Sequence, residues 1–273
     1  MTAVEIQRIA AFADATHAGN PAGVCLLDDW SPWPDDAVLL RIAAAVGLSE
    51  TAFLRGRALR WFTPAVEMPL CGHATLATAF VLGEAHVAFE TREAGVLTAD
   101  IDGADVTMDF PAHPPTPRAI DDAMIAALGA RPDAAFDGFK GLVRFGSEAE
   151  VAALEPDFER MAALDVNGVI ATAPGRDVDF VSRFFAPKLG VPEDPVTGSA
   201  HTVLAPYWAQ ALGRDDVVGR QIPRDPPPEG GLAWEDVAPM SARPGGVVRC
   251  TVRGERVVMR GSARRTGRGR VVG

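Results

Sequence analysis

The chain has 273 residues, 48% of them hydrophobic and 23% charged, with a formal net charge of −10. That composition is ample for a buried core and excludes a disordered or fibrous chain. The acid excess disfavours nucleic acid as a partner. Length alone allows one or two domains. Cys25, Cys71 and Cys250 lie far apart without Cys-x-x-Cys or metal-finger spacing, so they read as free thiols of a reducing compartment. Residues 1–12 carry Glu5, Gln7 and Arg8 where a signal peptide needs an unbroken apolar stretch. No window approaches the roughly 18 apolar residues of a membrane span. A cytoplasmic protein without membrane contact is expected.

Taken in chain order, residues 4–12 alternate as a strand does, and a turn-rich loop over 17–23 leads to a second apolar run, 24–27. Helical spacing over 35–46 stops at Gly47. Residues 48–54 run from a short loop into a strand, and 59–62 form another, ended by Thr63-Pro64. Residues 72–82 suit a helix that starts at a glycine and stops at Gly83. Three strand-like runs fill 87–110, and the proline-rich stretch 111–117 is the best linker candidate. Helices are predicted over 121–128, 148–154, 157–164 and 198–212, and strands over 141–145, 168–173 and 180–185. The triple proline at 226–228 marks a surface loop, and 247–272 reads as two or three strands.

An internal echo organises these elements. Arg60-Trp-Phe-Thr-Pro64 precedes a helix opened by Gly72, and Arg183-Phe-Phe-Ala-Pro187 precedes one opened by Gly198. The offset drifts from 123 residues at the prolines to 126 at those glycines. Two similar halves joined near 111–117 account for this.

A helix start leaves backbone N–H groups without intrahelical partners, and the macrodipole makes that end positive. A glycine there lets a ligand approach closely, so two such ends offer amide donors to a carboxylate or enolate. Beside Gly72 and Gly198 stand His73 and His201 for proton work, Ser199 for a hydrogen bond, and Cys71 and Thr197 immediately before each glycine. Asp194 precedes Pro195, which holds it extended, whereas Glu193 reads as surface. Composition alone reads Glu50 as a solvated loop acid, although partial burial would raise its pKa toward the range of a general acid–base.

Five motifs occur in order: Gly19-Asn-Pro-Ala22, Leu48-Ser-Glu-Thr-Ala-Phe53, Trp61-Phe-Thr-Pro64, Pro69-Leu-Cys-Gly-His-Ala-Thr75 and Glu193-Asp-Pro-Val-Thr-Gly-Ser-Ala200. In these the chain resembles the PhzF-like family of phenazine-biosynthesis isomerases. The resemblance implies an α+β fold similar to diaminopimelate epimerase: two pseudo-symmetric halves, each a mixed β-sheet wrapped around a central helix. The halves are expected over 1–112, completed by a closing strand near 262–273, and over 118–261, with the active site in the cleft between them.

The resemblance also implies roles. Glu50 matches the family's proton-shuttling glutamate, and His73 and Asp194 match the groups that hold and polarise the substrate. Gly72, Gly198 and Ser199 match the donors that receive its carboxylate, and Ser49 matches the neighbour of the shuttle. The implied protein is a homodimeric, cofactor-independent isomerase, without a metal, acting on a small carboxylate like trans-2,3-dihydro-3-hydroxyanthranilate. Segment 223–236 and the arginine-rich 264–270 depart from the family pattern and are expected to be peripheral, the arginines as a solvated terminus. Alternatives are an amino-acid racemase or epimerase, which needs a thiol at each helix start where this chain has Cys71 and Thr197, and a non-catalytic small-molecule-binding protein. The five histidines are dispersed without metal-ligand spacing, and Tyr207 and Trp208 read as packing.

Overall fold

The computed structural model describes residues 3–27, 32–238 and 243–272. The chain folds as two compact units, one of residues 1–109, 227–243 and 260–273, the other of 110–226 and 244–259.

In the first unit β1 (Ala3–Ala11) pairs antiparallel with β2 (Asn20–Leu26). The second strand begins inside the predicted loop because Asn20–Val24 lie in register with Gln7–Ala11. The turn before it requires Gly19: φ is +74° and a Cβ there would stand 2.4 Å from the Ala11 carbonyl oxygen. Helix α1 (Asp36–Val46) carries the chain to β3 (Glu50–Arg55), which runs parallel to β2. Then β4 (Ala58–Phe62) and the two-residue β5 (Glu67–Met68) add antiparallel, followed by α2 (Gly72–Leu82). A meander of β6 (His86–Glu90), β7 (Val96–Asp102) and β8 (Asp105–Pro111) follows. Leu39, Ile42, Ala43 and Val46 turn one stripe of α1 into a core with Phe53 and Phe62. Helix α2 is apolar nearly all round, buried from Gly72 through Ala79, and packs on β1, β2, β3 and β7. It is this unit's central helix.

The second unit opens where a linker is expected. Residues 111–117 are instead tied down: the Ala112 N–H donates to the Glu255 carbonyl and the His113 N–H to that of Thr202. Here β9 (Thr116–Arg118) precedes α3 (Asp122–Leu128), β10 (Ala134–Asp137) and β11 (Gly141–Arg144). Helices α4 (Glu148–Ala152) and α5 (Phe158–Ala162) lead to β12 (Val169–Pro174), β13 (Phe180–Ala186) and β14 (Val191–Asp194). Helix α6 (Gly198–Leu212), β15 (Asp216–Gln221) and β16 (Gly246–Arg253) complete it. The sheet is mixed: β11–β12 and β13–β15 are parallel, and β12–β13, β13–β14 and β15–β16 antiparallel. Met124, Leu128, Val151 and Met161 from α3, α4 and α5 cluster with Val143, Val169 and Val181. The α6 helix packs on β15 and β16, with the Trp208 ring stacked 5.6 Å from that of Phe180.

The sequence echo is an echo of contacts. Arg60 on β4 lays a two-pronged hydrogen bond on Glu67 of β5, both at 2.7 Å, with its guanidinium 4.9 Å from the Phe62 ring. Arg183 on β13 does the same to Glu193 of β14, at 2.7 and 2.8 Å, and lies 4.9 Å from the Phe185 ring. Remaining donors go to Asp36 in the first case and to the Val151 and Leu154 carbonyls in the second. Glu193 is therefore not the solvated acid expected: its carboxylate is the counter-ion of a guanidinium that is 1% exposed.

The arginine-rich end is not a solvated terminus either. It lies in β17 (Arg256–Val272), which pairs with β1 from Ala3↔Val272 to Ala11↔Ala263. Arg268 and Arg270 take the outward positions of the pleat, while Gly267, Gly269 and Val271 face inward. Segment 227–238 uses that room. A Cβ on Gly269 would meet Leu232 at 3.0 Å and Trp234 at 3.2 Å. The Gly231 N–H donates to the Val46 carbonyl at the end of α1. Among the described residues no helix is long and apolar enough to cross a membrane.

Removing one member of a buried ion pair strands the other charge, at a cost of about 3–5 kcal/mol, whereas an exposed pair contributes about 1 kcal/mol or less. Arg183→Met is expected to lower the urea-unfolding free energy by several kcal/mol. Arg57→Met, whose partner Glu84 is 44% exposed, serves as the contrast. Equal losses in the two variants would contradict a structural role for the buried fork.

Candidate active site

Glu50 is the first residue of β3, and Ser49 stands just before it. Thr51 and Phe53 pack toward α1, with Thr51 beside Val46 at Gly23 and Phe53 in the α1 core. The period-2 pleat therefore turns Glu50 to the opposite face, where α2 lies. Glu50 is 9% exposed and His73, in the first turn of α2, 3%. His73 Nε2 stands 3.4 Å from Glu50 Oε2. Its Nδ1 stands 3.5 Å from the sulfur of Cys71, the residue immediately before α2. The imidazole thus lies between a thiol and a carboxylate. Burial pushes its pKa down to about 3, so at neutral pH the ring is uncharged and its approach to Glu50 is a polar contact, not a salt bridge.

Both central helices start without a side-chain cap: neither Cys71 before α2 nor Thr197 before α6 accepts a hydrogen bond from the first turn. Asp121, Ser147 and Asp157 do accept one at the starts of α3, α4 and α5. Helix α1 also lacks a cap, but its first residues are exposed to solvent, whereas Gly72, His73 and Ala74 are buried, as are Gly198 and Ala200.

In the second unit Asp194, Gly198 and Ser199 lie along one short loop and helix start. Thr197 ties them together. Its hydroxyl donates to Asp194 Oδ2, and its N–H donates to the Gln221 side-chain oxygen at 2.9 Å. The Gln221 amide donates in turn to the Asp194 carbonyl and, at 3.2 Å, to the Thr197 hydroxyl. Gln221 is fully buried at the end of β15. Sequence reasoning misses it, although a glutamine on the buried parity of Val217 and Gly219 is a legible signal.

His201, singled out for proton work, belongs to the core. It is fully buried, its Nδ1 meets the Thr197 carbonyl at 2.8 Å, and its ring centroid lies 6.0 Å from that of Phe180. The structure thus brings Ser49, Glu50, Gly72 and His73 together in the first unit and Asp194, Gly198 and Ser199 in the second. One set of three potential metal ligands occurs among the described residues: Glu50, Cys71 and His73, each offering a donor atom within 4.8 Å of the others.

Residues 9–222 match the family described as phenazine biosynthesis-like protein. An uncharacterized isomerase of Pseudomonas aeruginosa is 46% identical over 268 residues, covering 94% of this chain and 95% of that one. The crystal structure of a PhzF-family phenazine biosynthesis protein from Enterococcus faecalis is 37% identical, has a TM-score of 0.84, and covers 99% of this chain and 100% of that one. A predicted epimerase from Pseudomonas aeruginosa, 19% identical with a TM-score of 0.68 over 99% of each chain, shares the fold. The α+β, epimerase-like fold expected from the sequence is the one observed.

The buried His201 makes stability depend on pH. Burial pushes its pKa down to about 4, although the Thr197 carbonyl pulls the other way. An unfolded imidazole takes up its proton near pH 6.5. The unfolded chain therefore binds more protons below that value, and stability is complete above pH 6.5 and falls by about 1.4 kcal/mol per pH unit toward pH 4. Between pH 7.5 and 5.0 the wild type is expected to lose about 2 kcal/mol more unfolding free energy than His201→Gln, measured by urea titration. Parallel pH dependences would show that His201 titrates alike folded and unfolded.

Proposed function

The chain belongs to the phenazine biosynthesis-like family, and from that premise we propose that it is an isomerase that moves a proton within a small carboxylate substrate. The substrate class is an unsaturated ring acid like trans-2,3-dihydro-3-hydroxyanthranilate. Glu50 takes a proton from a carbon activated by the neighbouring unsaturation and returns it to another carbon on the same face. The shift is redox-neutral, so it takes no electron carrier. The observation that carries this reading is a buried carboxyl at the entrance of a strand, 3.4 Å from an imidazole that burial keeps uncharged.

Each named residue has a chemical task in this reading. A neutral imidazole has one N–H. With a carboxylate 3.4 Å from Nε2 and a thiol 3.5 Å from Nδ1, the uncharged His73 ring sits beside Glu50 without pairing it to a positive charge, which leaves Glu50 free to change protonation state. Ser49 and Gly72 bind at the same end. In the second unit the first-turn N–H groups of Gly198 and Ser199, with the Ser199 hydroxyl, receive the substrate carboxylate, where the helix dipole favours an anion. Asp194 polarises the substrate, held by Thr197 and Gln221.

An amino-acid racemase needs an acid–base group on each side of the stereocentre. The residue that would stand opposite Cys71 in the repeat, Thr197, has a hydroxyl committed to Asp194, and such a hydroxyl is too weak an acid for the task.

Proton transfer by a positioned group contributes about 10²–10⁴ in rate. Glu50→Gln is therefore expected to cut deuterium wash-in from solvent into small cyclic carboxylates by at least about a hundredfold. Binding of the same compounds, followed by calorimetry, should change little. A variant keeping more than about a tenth of the wild-type exchange rate would remove Glu50 from this role.

A further inference from the structure

We propose that Glu50, Cys71 and His73 form a binding site for one thiophilic divalent cation, Zn²⁺, and that occupancy switches the proton-transfer site off. The switching-off rests on the reading of Glu50 given above; the binding does not.

The donor set is a soft thiol, a borderline imidazole and a hard carboxylate, the mixture zinc accepts in sites with three protein ligands and a fourth position open. Tetrahedral zinc with bonds of about 2.0–2.3 Å separates neighbouring donor atoms by about 3.3–3.7 Å. The structure places His73 Nε2 3.4 Å from Glu50 Oε2 and His73 Nδ1 3.5 Å from Cys71 Sγ, contacts made by opposite nitrogens of the ring, of which an ion takes one. Three donor atoms, one per residue, lie within 4.8 Å of one another, so rotamer adjustments of the imidazole, thiol and carboxylate that close the set by about 1 Å bring one nitrogen, the sulfur and an oxygen around a common point.

Charge favours the ion as well. Binding replaces the thiol proton, releasing H⁺ and forming a Cys71–S–Zn bond, and a thiolate and a carboxylate together cancel the two positive charges. The buried complex is then electrically neutral, which removes the main penalty of placing a cation at 3–9% exposure. With Glu50 coordinated, its lone pairs are no longer available to take a substrate proton. Cys71 thereby acquires a task that the isomerisation leaves unassigned.

The test uses Co²⁺ as a spectroscopic stand-in for Zn²⁺ on the metal-free full-length protein. The wild type is expected to bind about one Co²⁺ per chain, with a near-ultraviolet thiolate-to-cobalt band and the visible bands of a tetrahedral site, all erased by added Zn²⁺. Cys71→Ser should lose the charge-transfer band although Cys25 and Cys250 remain. Glu50→Gln should keep the band and bind more than about tenfold more weakly. Zn²⁺ should then suppress deuterium exchange over the range that displaces Co²⁺, and a chelator should restore it. A wild-type titration without the band, or one that Cys71→Ser leaves unchanged, overturns the site. Tight binding with no effect on exchange would retain the site and overturn the switch.

Discussion

The forked arginine–glutamate pair, made once in each unit, is the constraint on which both helix starts depend. In each unit a strand, a proline turn and a short second strand must deliver a glycine-started helix at a fixed angle. Loops of that length are held poorly by backbone hydrogen bonds alone; β5 has only two residues. A guanidinium with planar, paired donors fixes both oxygens of a carboxylate at once, in distance and in orientation. Arg60 thereby clamps β5 to β4 four residues before Cys71, and Arg183 clamps β14 to β13 directly before Asp194. Burial makes the arrangement conditional. Both guanidinium groups are at most 4% exposed, and further donors are met by Asp36 at Arg60 Nη2 and by the Val151 and Leu154 carbonyls at Arg183 Nη1.

What this clamp holds in place is a helix start left chemically open. A folded chain ordinarily satisfies its first-turn N–H groups with a serine or aspartate, as α3, α4 and α5 do. The two central helices forgo that stabilisation, about 1 kcal/mol each, and bury the open end. Thr197 has a hydroxyl of the kind that caps helices well, yet directs it back to Asp194, so the start of α6 is left without a side-chain cap. Polar groups withheld from local satisfaction in an otherwise well-paired molecule are what a carboxylate-binding site requires.

The sequence makes the fold more legible than the site's supports. The helices at 36–46, 72–82 and 198–212 announce themselves by periodicity and terminal glycines, and the repeated aromatic-proline strings expose the two-unit plan. The short strands β5 (Glu-Met), β9 (Thr-Pro-Arg) and β14 (Val-Pro-Glu-Asp) leave no signal, because they lack the apolar run that makes the equally short β11 visible and form through tertiary pairing. Glu193 reads as surface since its partner lies ten residues back and no local rule joins them. The arginine-rich end misleads for another reason. Its buried positions are glycines and a threonine, so the alternation lacks the apolar half that makes a strand visible, and the missing bulk comes from Trp234 and Leu232.

The state of His73 links the architecture to the chemistry. A group that both removes and returns a proton needs its two protonation states close in free energy, and a cation in contact would hold the carboxylate permanently ionised. In the first unit Arg60 is spent on Glu67 and Asp36, and His73, 3.4 Å from Glu50, is kept neutral by burial. An uncharged imidazole 3.4 Å away is a polar neighbour of the carboxyl that does not decide its charge. The same burial that keeps His73 neutral also leaves a ring nitrogen unprotonated to serve as a ligand, so the proposed proton transfer and the proposed metal binding draw on one buried triad. Burial, more than any single residue, sets the charge state of this cluster.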